Sequence, residues 1–493
     1  MAFLRDMRFM REVTALPAMA DTLRESVVRG VFLREERAIP KDVVRVLTAA
    51  PHLTATVDNE LEIRKIIRIL NGEEGTQAFG PLVPGMPVSP EDMHYFRRML
   101  GVQWESRAGV GGKASLWTTT ERLVPLQGGV QIDLSKLRTV EIDGVTYTAQ
   151  VQSGATWKEA YERARAKGMW LSLYPVVPLD FAFGDTLYGD ARLVSFRGDF
   201  DDAVNSVRVV NAEGVQVTHG FTRVPNHATA YDLRYLATML GGDVGVVTAI
   251  SVRLEARPKV VKNLAYGFAD AAAMGVALEK LLSSGRRCLW INAFDDRAWA
   301  MLHPGNPAGP FVLEVGLGGR ESLVAIREKA VDALMAGNQA KAEVPSHLDA
   351  PIEAYRKTAV SVGKKLFPGE LLSSPRHVPK LAVAVKEMAG SRGLRGGFFA
   401  AATAQHQVSL FPFFEAPKEL PRVYDLSRAL WDLAKPLGGE VQLVSPLAHF
   451  WSGDKDLARR VEILEKADAV LDQPNVLEPP AILTKPKMFF APE

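Results

Sequence analysis

A single cysteine, Cys288, stands in a chain of 493 residues. An internal disulfide and a cysteine-ligated iron–sulfur cluster are both excluded, because each needs more than one thiol from the chain. Excess charge of either sign is also missing: 59 lysines and arginines stand against 57 aspartates and glutamates, a net charge of +2. Without a basic surplus there is no global electrostatic case for a nucleic-acid partner. Long apolar runs are absent too, and a spanning helix needs about 18 or more such residues in a row. No transmembrane segment is therefore expected, although peripheral attachment to a membrane through a partner stays open. Met1-Ala-Phe-Leu-Arg-Asp-Met-Arg8 lacks the apolar stretch of a secretory signal, so the expected location is cytoplasmic. What remains, 47% hydrophobic and 24% charged, is the composition of a soluble globular protein, with chain enough for roughly two to four domains.

The most informative stretch is Arg107-Ala-Gly-Val-Gly-Gly-Lys-Ala-Ser115. Gly109, Gly111 and Gly112 leave a backbone that turns sharply and brings its amides close to a ligand. Successive amide N–H groups form an anion-binding concavity, and Arg107 and Lys113 add positive charge beside it. The loop is neither a Walker loop nor a Gly-x-Gly-x-x-Gly fingerprint. An ordinary turn is the competing reading.

The segments that follow come in a telling order. They are Gly128-Gly-Val-Gln-Ile-Asp133, Val145-Thr-Tyr-Thr-Ala-Gln-Val-Gln152, Ser153-Gly-Ala-Thr-Trp157, Phe183-Gly-Asp-Thr-Leu-Tyr-Gly189 and Gly241-Gly-Asp-Val-Gly-Val-Val-Thr248. This succession resembles the FAD-binding domain of the vanillyl-alcohol oxidase and para-cresol methylhydroxylase superfamily, and within it the D-lactate and glycolate dehydrogenase-like FAD-linked oxidases. In that family an Arg-Gly-x-Gly-Thr-Ser loop and a later Gly-Gly turn hold the FAD pyrophosphate, and a Gly-x-x-Gly-Ile-Ile-Thr segment lies along the flavin. The resemblance implies FAD with its pyrophosphate against Arg107, Gly109, Gly111, Gly112, Lys113, Ser115, Phe183, Gly184 and Asp185. Its isoalloxazine would lie near Gly245, Val246, Val247 and Thr248. No histidine or cysteine occurs in 104–118, so the histidyl-flavin bond of some members is not expected and the cofactor is read as non-covalent. Asp185 stands where the family has glycine, and a carboxylate near the pyrophosphate costs affinity unless it turns away or pairs.

The resemblance further implies an oxidoreductase taking hydride from a small 2-hydroxy acid or related alcohol, with an external electron acceptor or partner subunit. The family's cap motif Gly-His-x-Gly-Asp-Gly-Asn-x-His reads here Phe398-Phe-Ala-Ala-Ala-Thr-Ala-Gln-His406. Its later His-Gly-Ile-Gly reads Ser445-Pro-Leu-Ala-His-Phe-Trp451. His406 and His449 are thus the candidate bases, each with the alternative of a packed core histidine. No metal site is expected from so thin a ligand set. Arg376, in Arg376-His-Val-Pro379, is a candidate partner for a substrate carboxylate, or a surface arginine. Because these motifs are degenerate, a non-catalytic or flavin-carrying subunit of a larger complex is the alternative function.

Pattern supplies the organisation. The fold class is α+β, with a FAD-binding domain of two α+β subdomains, an α+β cap and a helical N-terminal extension. Residues 1–80 read as that extension. Its clearest helix is Glu60–Leu70, apolar at 61, 63, 66, 67 and 70, with Arg64, Lys65 and Arg68 as a solvated basic face. A Gly/Pro-rich linker covers 72–90, a capped helix covers 88–100, and the FAD domain spans 85–258. Thr156-Trp-Lys-Glu159 reads as a capping box opening a helix that ends at Gly168. From 259 to 430 strand–helix units form the cap, and 431–493 reads as a tail returning to the FAD domain. Replacing Gly111 and Gly112 together with valine is expected to abolish flavin retention; a folded double variant as yellow as the parent would show that the loop is misassigned.

Overall fold

The computed structural model describes residues 31–33, 53–70, 102–105, 130–171, 179, 182–187, 200–222, 234, 237, 245–305, 308–335, 337–347, 365–366, 371–403, 406–415, 429–430, 432–437, 440–441, 459, 462–463, 466 and 470. The linker read at 72–90, the helix read at 88–100, the loop 107–115 and His449 all lie outside them.

Four short strands open the chain: β1 (Val31–Leu33), β2 (Leu53–Thr56), β3 (Val102–Glu105) and β4 (Val130–Asp133). They form one sheet in the order β1-β2-β4-β3, with β4 parallel to both β2 and β3. This corrects the purely helical extension. Leu53-Thr-Ala-Thr56 pairs residue by residue with Val130–Asp133, so it belongs to the same sheet as the segment that brackets the glycine-rich loop. A four-residue strand is too short for a periodicity window to register. Helix α1 (Glu60–Leu70) has the bounds that its apolar spacing predicts. Asn59 Oδ1 accepts from the amides of Leu61 and Glu62 (3.0 and 3.2 Å), satisfying two orphan donors at its start. Ile63, Ile66 and Ile67 are fully buried, whereas Leu61 is 63% exposed, one position off the apolar stripe. The basic face is not simply solvated either: Arg64 is half-buried and its Nε donates to the Gly214 carbonyl at 3.0 Å.

The second sheet joins β5 (Val140–Asp143), β6 (Thr148–Gln152), β8 (Val204–Val210), β9 (Gln216–Gly220) and β10 (Val246–Arg253), antiparallel in the order β5-β6-β10-β8-β9. A two-residue strand β7 (Met169–Trp170) pairs with β11 (Glu255–Ala256). The strand read from Val145 starts only at Thr148, because residues 144–147 turn and Tyr147 takes φ 55°. Helix α2 (Trp157–Ala166) begins with the expected reciprocal capping box between Thr156 and Glu159. Trp157 on its inner face is fully buried and stacks at 4.2 Å on Phe183.

Beyond the one-turn helix α3 (Phe200–Ala203), which precedes β8, the cap is a nine-stranded sheet. Its strands are β12 (Val260–Phe268), β13 (Trp290–Asp295), β14 (Phe311–Gly319), β15 (Ala340–Val344), β16 (Lys365–Leu366), β17 (Leu371–Ser373), β18 (Arg395–Ala402), β19 (Val408–Glu415) and β20 (Glu440–Val441). Their order is β15-β12-β14-β13-β18-β19-β17-β20, with β16 beside β19. Because β20 pairs with β17, residues 440–441 belong to the cap rather than to a tail returning elsewhere. Alternation along these strands splits the apolar side chains between two faces. Leu264, Tyr266, Ile291, Leu313 and Val315 face a layer made by α4 (Ala271–Ser283), α6 (Glu321–Asp332) and α7 (Val378–Ser391). Ala265, Trp290, Phe294, Val312, Phe399 and Ala401 point the other way, where α5 (Asp296–Leu302) adds Ala298 and Trp299. That second face is continuous with the core of the first two sheets.

Gly154 is the tightest backbone approach between the first two sheets: a Cβ there would meet the Leu134 carbonyl oxygen at 2.0 Å. Gly154→Ala is expected to cost about 1–3 kcal/mol or more, since backbone has to move. Gly168→Ala is the control, at φ 69° but with nothing within 4 Å; its cost is about 1 kcal/mol. Urea unfolding midpoints decide, and equal losses would contradict the packing described.

Candidate functional site

The two loops that sequence reading assigned to different parts of one cofactor converge on a single serine. Ser153 ends β6. Its amide donates to the Thr248 carbonyl at 3.0 Å and its hydroxyl to the Val247 carbonyl at 2.6 Å. On its other side the Gly184 amide donates to the Ser153 carbonyl at 3.0 Å, and the Phe183 amide to Ala155 at 2.7 Å. A Cβ on Gly184 would come within 2.6 Å of the Ser153 Cβ, so only glycine permits this contact. Gly154 lies against Leu134, just past the end of β4, and β3 runs parallel beside β4 with Glu105 opposite Asp133. The glycine-rich segment leaves from this same carboxyl end, two residues after Glu105. Ligands of open α/β sheets bind outside the carboxyl ends of parallel strands, and the seam lies at that end of β3 and β4.

The side chains refine the expectation. Phe183 packs on Trp157 and is fully buried, so its ring is taken up by the core rather than offered to a ligand. Thr186 accepts from Trp157 Nε1 at 3.0 Å and donates to the Phe183 carbonyl at 2.7 Å, which pins the turn holding Gly184 and Asp185. Val246 and Val247 are buried in the core, and Gly245 enters β10 at φ 135°. Thr248 does not turn its hydroxyl toward a ligand: it donates to Glu60 Oε1 at 2.6 Å, where Arg208 also arrives at 3.3 Å.

A second polar group, missed in the sequence reading, lies on the cap face that joins the common core. Glu314 on β14 is fully buried. Its Oε1 accepts from Asn263 Nδ2 at 2.8 Å, and its Oε2 accepts from Asn292 Nδ2 at 2.8 Å and His347 Nε2 at 2.5 Å. His303 Nε2 stands 3.8 Å from Oε1 and has no hydrogen-bond partner. Burial alone pushes this carboxyl up, but His347 against it, the hydrogen bonds from His347 and Asn292 and the nearby His303 ring outweigh it and hold the group well below the usual carboxylate range. A signal was available: in Phe311-Val-Leu-Glu-Val-Gly-Leu-Gly-Gly319 the glutamate is the sole residue that is neither apolar nor glycine. Among the described residues no three histidine, cysteine, aspartate or glutamate side chains are arranged to hold a metal ion.

The sequence-derived catalytic candidates sit elsewhere. His406 is exposed in the turn between β18 and β19, at φ 64°, its amide bonded to the Thr403 carbonyl at 3.1 Å. Arg376, 77% exposed, lies just before α7 on the helix side of the cap, 4.0 Å from Glu279, as the surface-arginine alternative requires. His449 lies outside the described residues.

Glu314 yields a pH prediction. Its folded pKa is depressed, so its stabilising effect is present above the unfolded glutamate pKa and fades as pH falls through the folded value. Glu314→Gln also removes the charge and sets an amide donor against at least one of the three donors, at a cost of about 3–5 kcal/mol near neutral pH. Urea unfolding at successively lower pH should show the gap between parent and variant narrowing below about pH 4; a gap independent of pH would contradict the network.

Comparison with known proteins agrees with this geometry. A family model described as a FAD binding domain matches residues 109–220. Two proteins of Mycobacterium tuberculosis, from strains CDC 1551 and H37Rv, each described as an uncharacterized FAD-linked oxidoreductase, are 25% identical over 285 residues. The match covers 56% of this chain and 60% of the length of each relative. Among solved structures, p-cresol methylhydroxylase with substrate bound superposes with a TM-score of 0.69 at 16% identity, covering 96% of this chain and 97% of that one. A 4-ethylphenol oxidase from Gulosibacter chungangensis gives 0.67 at 14% identity, covering 95% and 96%. A chitooligosaccharide oxidase gives 0.59 at 13%, covering 94% and 98%. No described helix is long and apolar enough to cross a membrane. The chain is an α+β protein that carries a FAD-binding domain and shares the fold of p-cresol methylhydroxylase-type flavoenzymes.

Proposed function

We propose that the protein is a FAD-dependent oxidoreductase that oxidises a small 2-hydroxy acid or related alcohol and holds its FAD non-covalently. The observation that carries the reading is the Ser153 seam, which joins Gly184 and the start of β10 within and just beyond the segment matched as a FAD-binding domain. The pyrophosphate is assigned to Arg107, Gly109, Gly111, Gly112, Lys113 and Ser115, facing the main chain of Phe183, Gly184 and Asp185. The isoalloxazine is assigned to the main chain of Gly245–Thr248. FAD supplies the acceptor for two electrons and a hydrogen. The chain's share is to orient the cofactor and substrate, to exclude water and to take up the hydroxyl proton. The names of the solved neighbours, a p-cresol methylhydroxylase and a chitooligosaccharide oxidase, support a neutral hydroxyl compound as substrate as readily as a 2-hydroxy acid.

Anaerobic mixing of the yellow protein with lactate, glycolate, 1,2-propanediol, 4-methylphenol and a chitooligosaccharide tests this. At least one compound is expected to bleach the flavin band near ~450 nm. Retention of full colour with every compound would favour a flavin-carrying subunit without its own oxidation step.

A further inference from the structure

Strand β10 does not run straight beside β8. Val247 stands opposite Val209 and Ala249 opposite Arg208, so Thr248 is an extra residue with no counterpart on β8. Such a bulge interrupts the ladder and bends the strand, and its course has to be fixed by other contacts. Thr248 is fully buried, and its contacts come from outside β8 and β10. Its hydroxyl donates to Glu60 Oε1 at 2.6 Å, and its carbonyl accepts from the Ser153 amide at 3.0 Å.

Glu60 comes from a distant part of the chain. It is the first residue of α1, 188 positions before Thr248 and well ahead of the stretch 109–220 matched as a FAD binding domain. The same Oε1 receives Arg208 Nη1 at 3.3 Å, and Arg208 is the β8 residue beside the bulge. One carboxylate oxygen thus bridges both strands where their ladder is interrupted. A hydroxyl donating to a carboxylate is among the stronger hydrogen bonds, and both charged side chains are half-buried, where salt screens them less than at an open surface. The hydrogen bonds continue from Thr248 through Ser153 to the Gly184 amide, and those last two residues lie inside the matched stretch. Helix α1 has a second tether, Arg64 Nε to the Gly214 carbonyl at 3.0 Å, which reaches the turn between β8 and β9 and not β10.

We propose that Glu60 is a positioning residue of the FAD site: through Thr248 it holds the bulge of β10 and with it the course of the main chain at Gly245–Thr248. The assignment rests on the reading above, which gives that main chain to the isoalloxazine. Glu60 acts through Thr248 and needs no contact with the cofactor, while Arg208 balances its charge. The device opposes one particular failure. A one-residue slip that closed the ladder with β8 would turn the side chains of Val246 and Val247 to the opposite face. It would also lift Gly245 from the Val210 carbonyl, against which a Cβ would stand at only 2.3 Å. The region before the matched stretch is in this way part of the cofactor site and not an appendage to it.

The full-length protein, purified with its FAD, provides the test in two readouts. Release of FAD on successive dilution is followed by the fluorescence of the free cofactor, and the setting of the bound flavin by its visible circular dichroism. Thr248→Val keeps the shape of the side chain and removes the hydroxyl; Glu60→Ala removes the acceptor. Each should raise the FAD dissociation constant by about tenfold or more and alter the visible dichroism. Thr248→Ser, which restores the hydroxyl, should recover most of what Thr248→Val loses. Arg64→Ala cuts the other tether of α1 and should leave affinity and dichroism at the parent's values. If Glu60→Ala does not fold, Thr248→Val and its rescue decide. Parent-like affinity in Thr248→Val or Glu60→Ala, or no recovery in Thr248→Ser, overturns this assignment alone. So does an Arg64→Ala variant that loosens FAD as much as Glu60→Ala, because the carboxylate would then merely anchor the helix. A parent that binds no FAD overturns the flavin reading and this assignment with it.

Discussion

Contact of main chain with main chain at Ser153 is the constraint on which the rest depends. Gly154 meets the Leu134 main chain with no room for a Cβ, and Gly184 meets the Ser153 Cβ and hydroxyl, with the Ser153 Cα just behind. Side chains in a core can repack around a swap that conserves volume, whereas two backbones in contact have less freedom to move apart. The seam therefore fixes how the parallel sheet of β2, β4 and β3 sits on the antiparallel sheet of β6 and β10.

The cap contributes the opposite kind of physics. Its helix-covered face is ordinary apolar packing, while the other face carries a charge that burial alone would neutralise. Glu314 stays ionised because two asparagines and His347 saturate its oxygens within 2.8 Å. Such a network is useful only if complete, since a half-satisfied one leaves an uncompensated buried charge. The unpartnered His303 Nε2 beside it marks where that completeness ends.

How much of this was legible in the sequence depended on range. Local devices were: the Thr156–Glu159 box and the bounds of α1 both follow from contacts within a few residues. Partnerships across the chain were not. The pairing of Leu53 with Val130 and of Leu371 with Val441 leaves no trace in either strand's own pattern, so the extension and the tail were drawn as separate pieces. The same holds for the cap's chemistry. The family resemblance points to His406 and His449, whereas the histidine buried in the cap network is His347. Its partner Glu314 lies 33 positions away, and only the sheet brings the two together. Arg64 was taken for a solvated cation because its acceptor, the Gly214 carbonyl, is 150 residues distant.

The central claim, that this chain holds FAD through main chain at the Ser153 seam, is tested most directly by the flavin content of the purified protein. The account predicts a yellow protein whose chromophore leaves on heat or acid denaturation, is identified as FAD by mass, and matches the protein in molar amount. Gly184→Ala, which forces Ser153 aside, should lose most of it while its far-ultraviolet circular dichroism remains that of an α+β protein. A colourless parent that takes up no FAD on incubation, or a Gly184→Ala variant holding as much as the parent, would contradict the account.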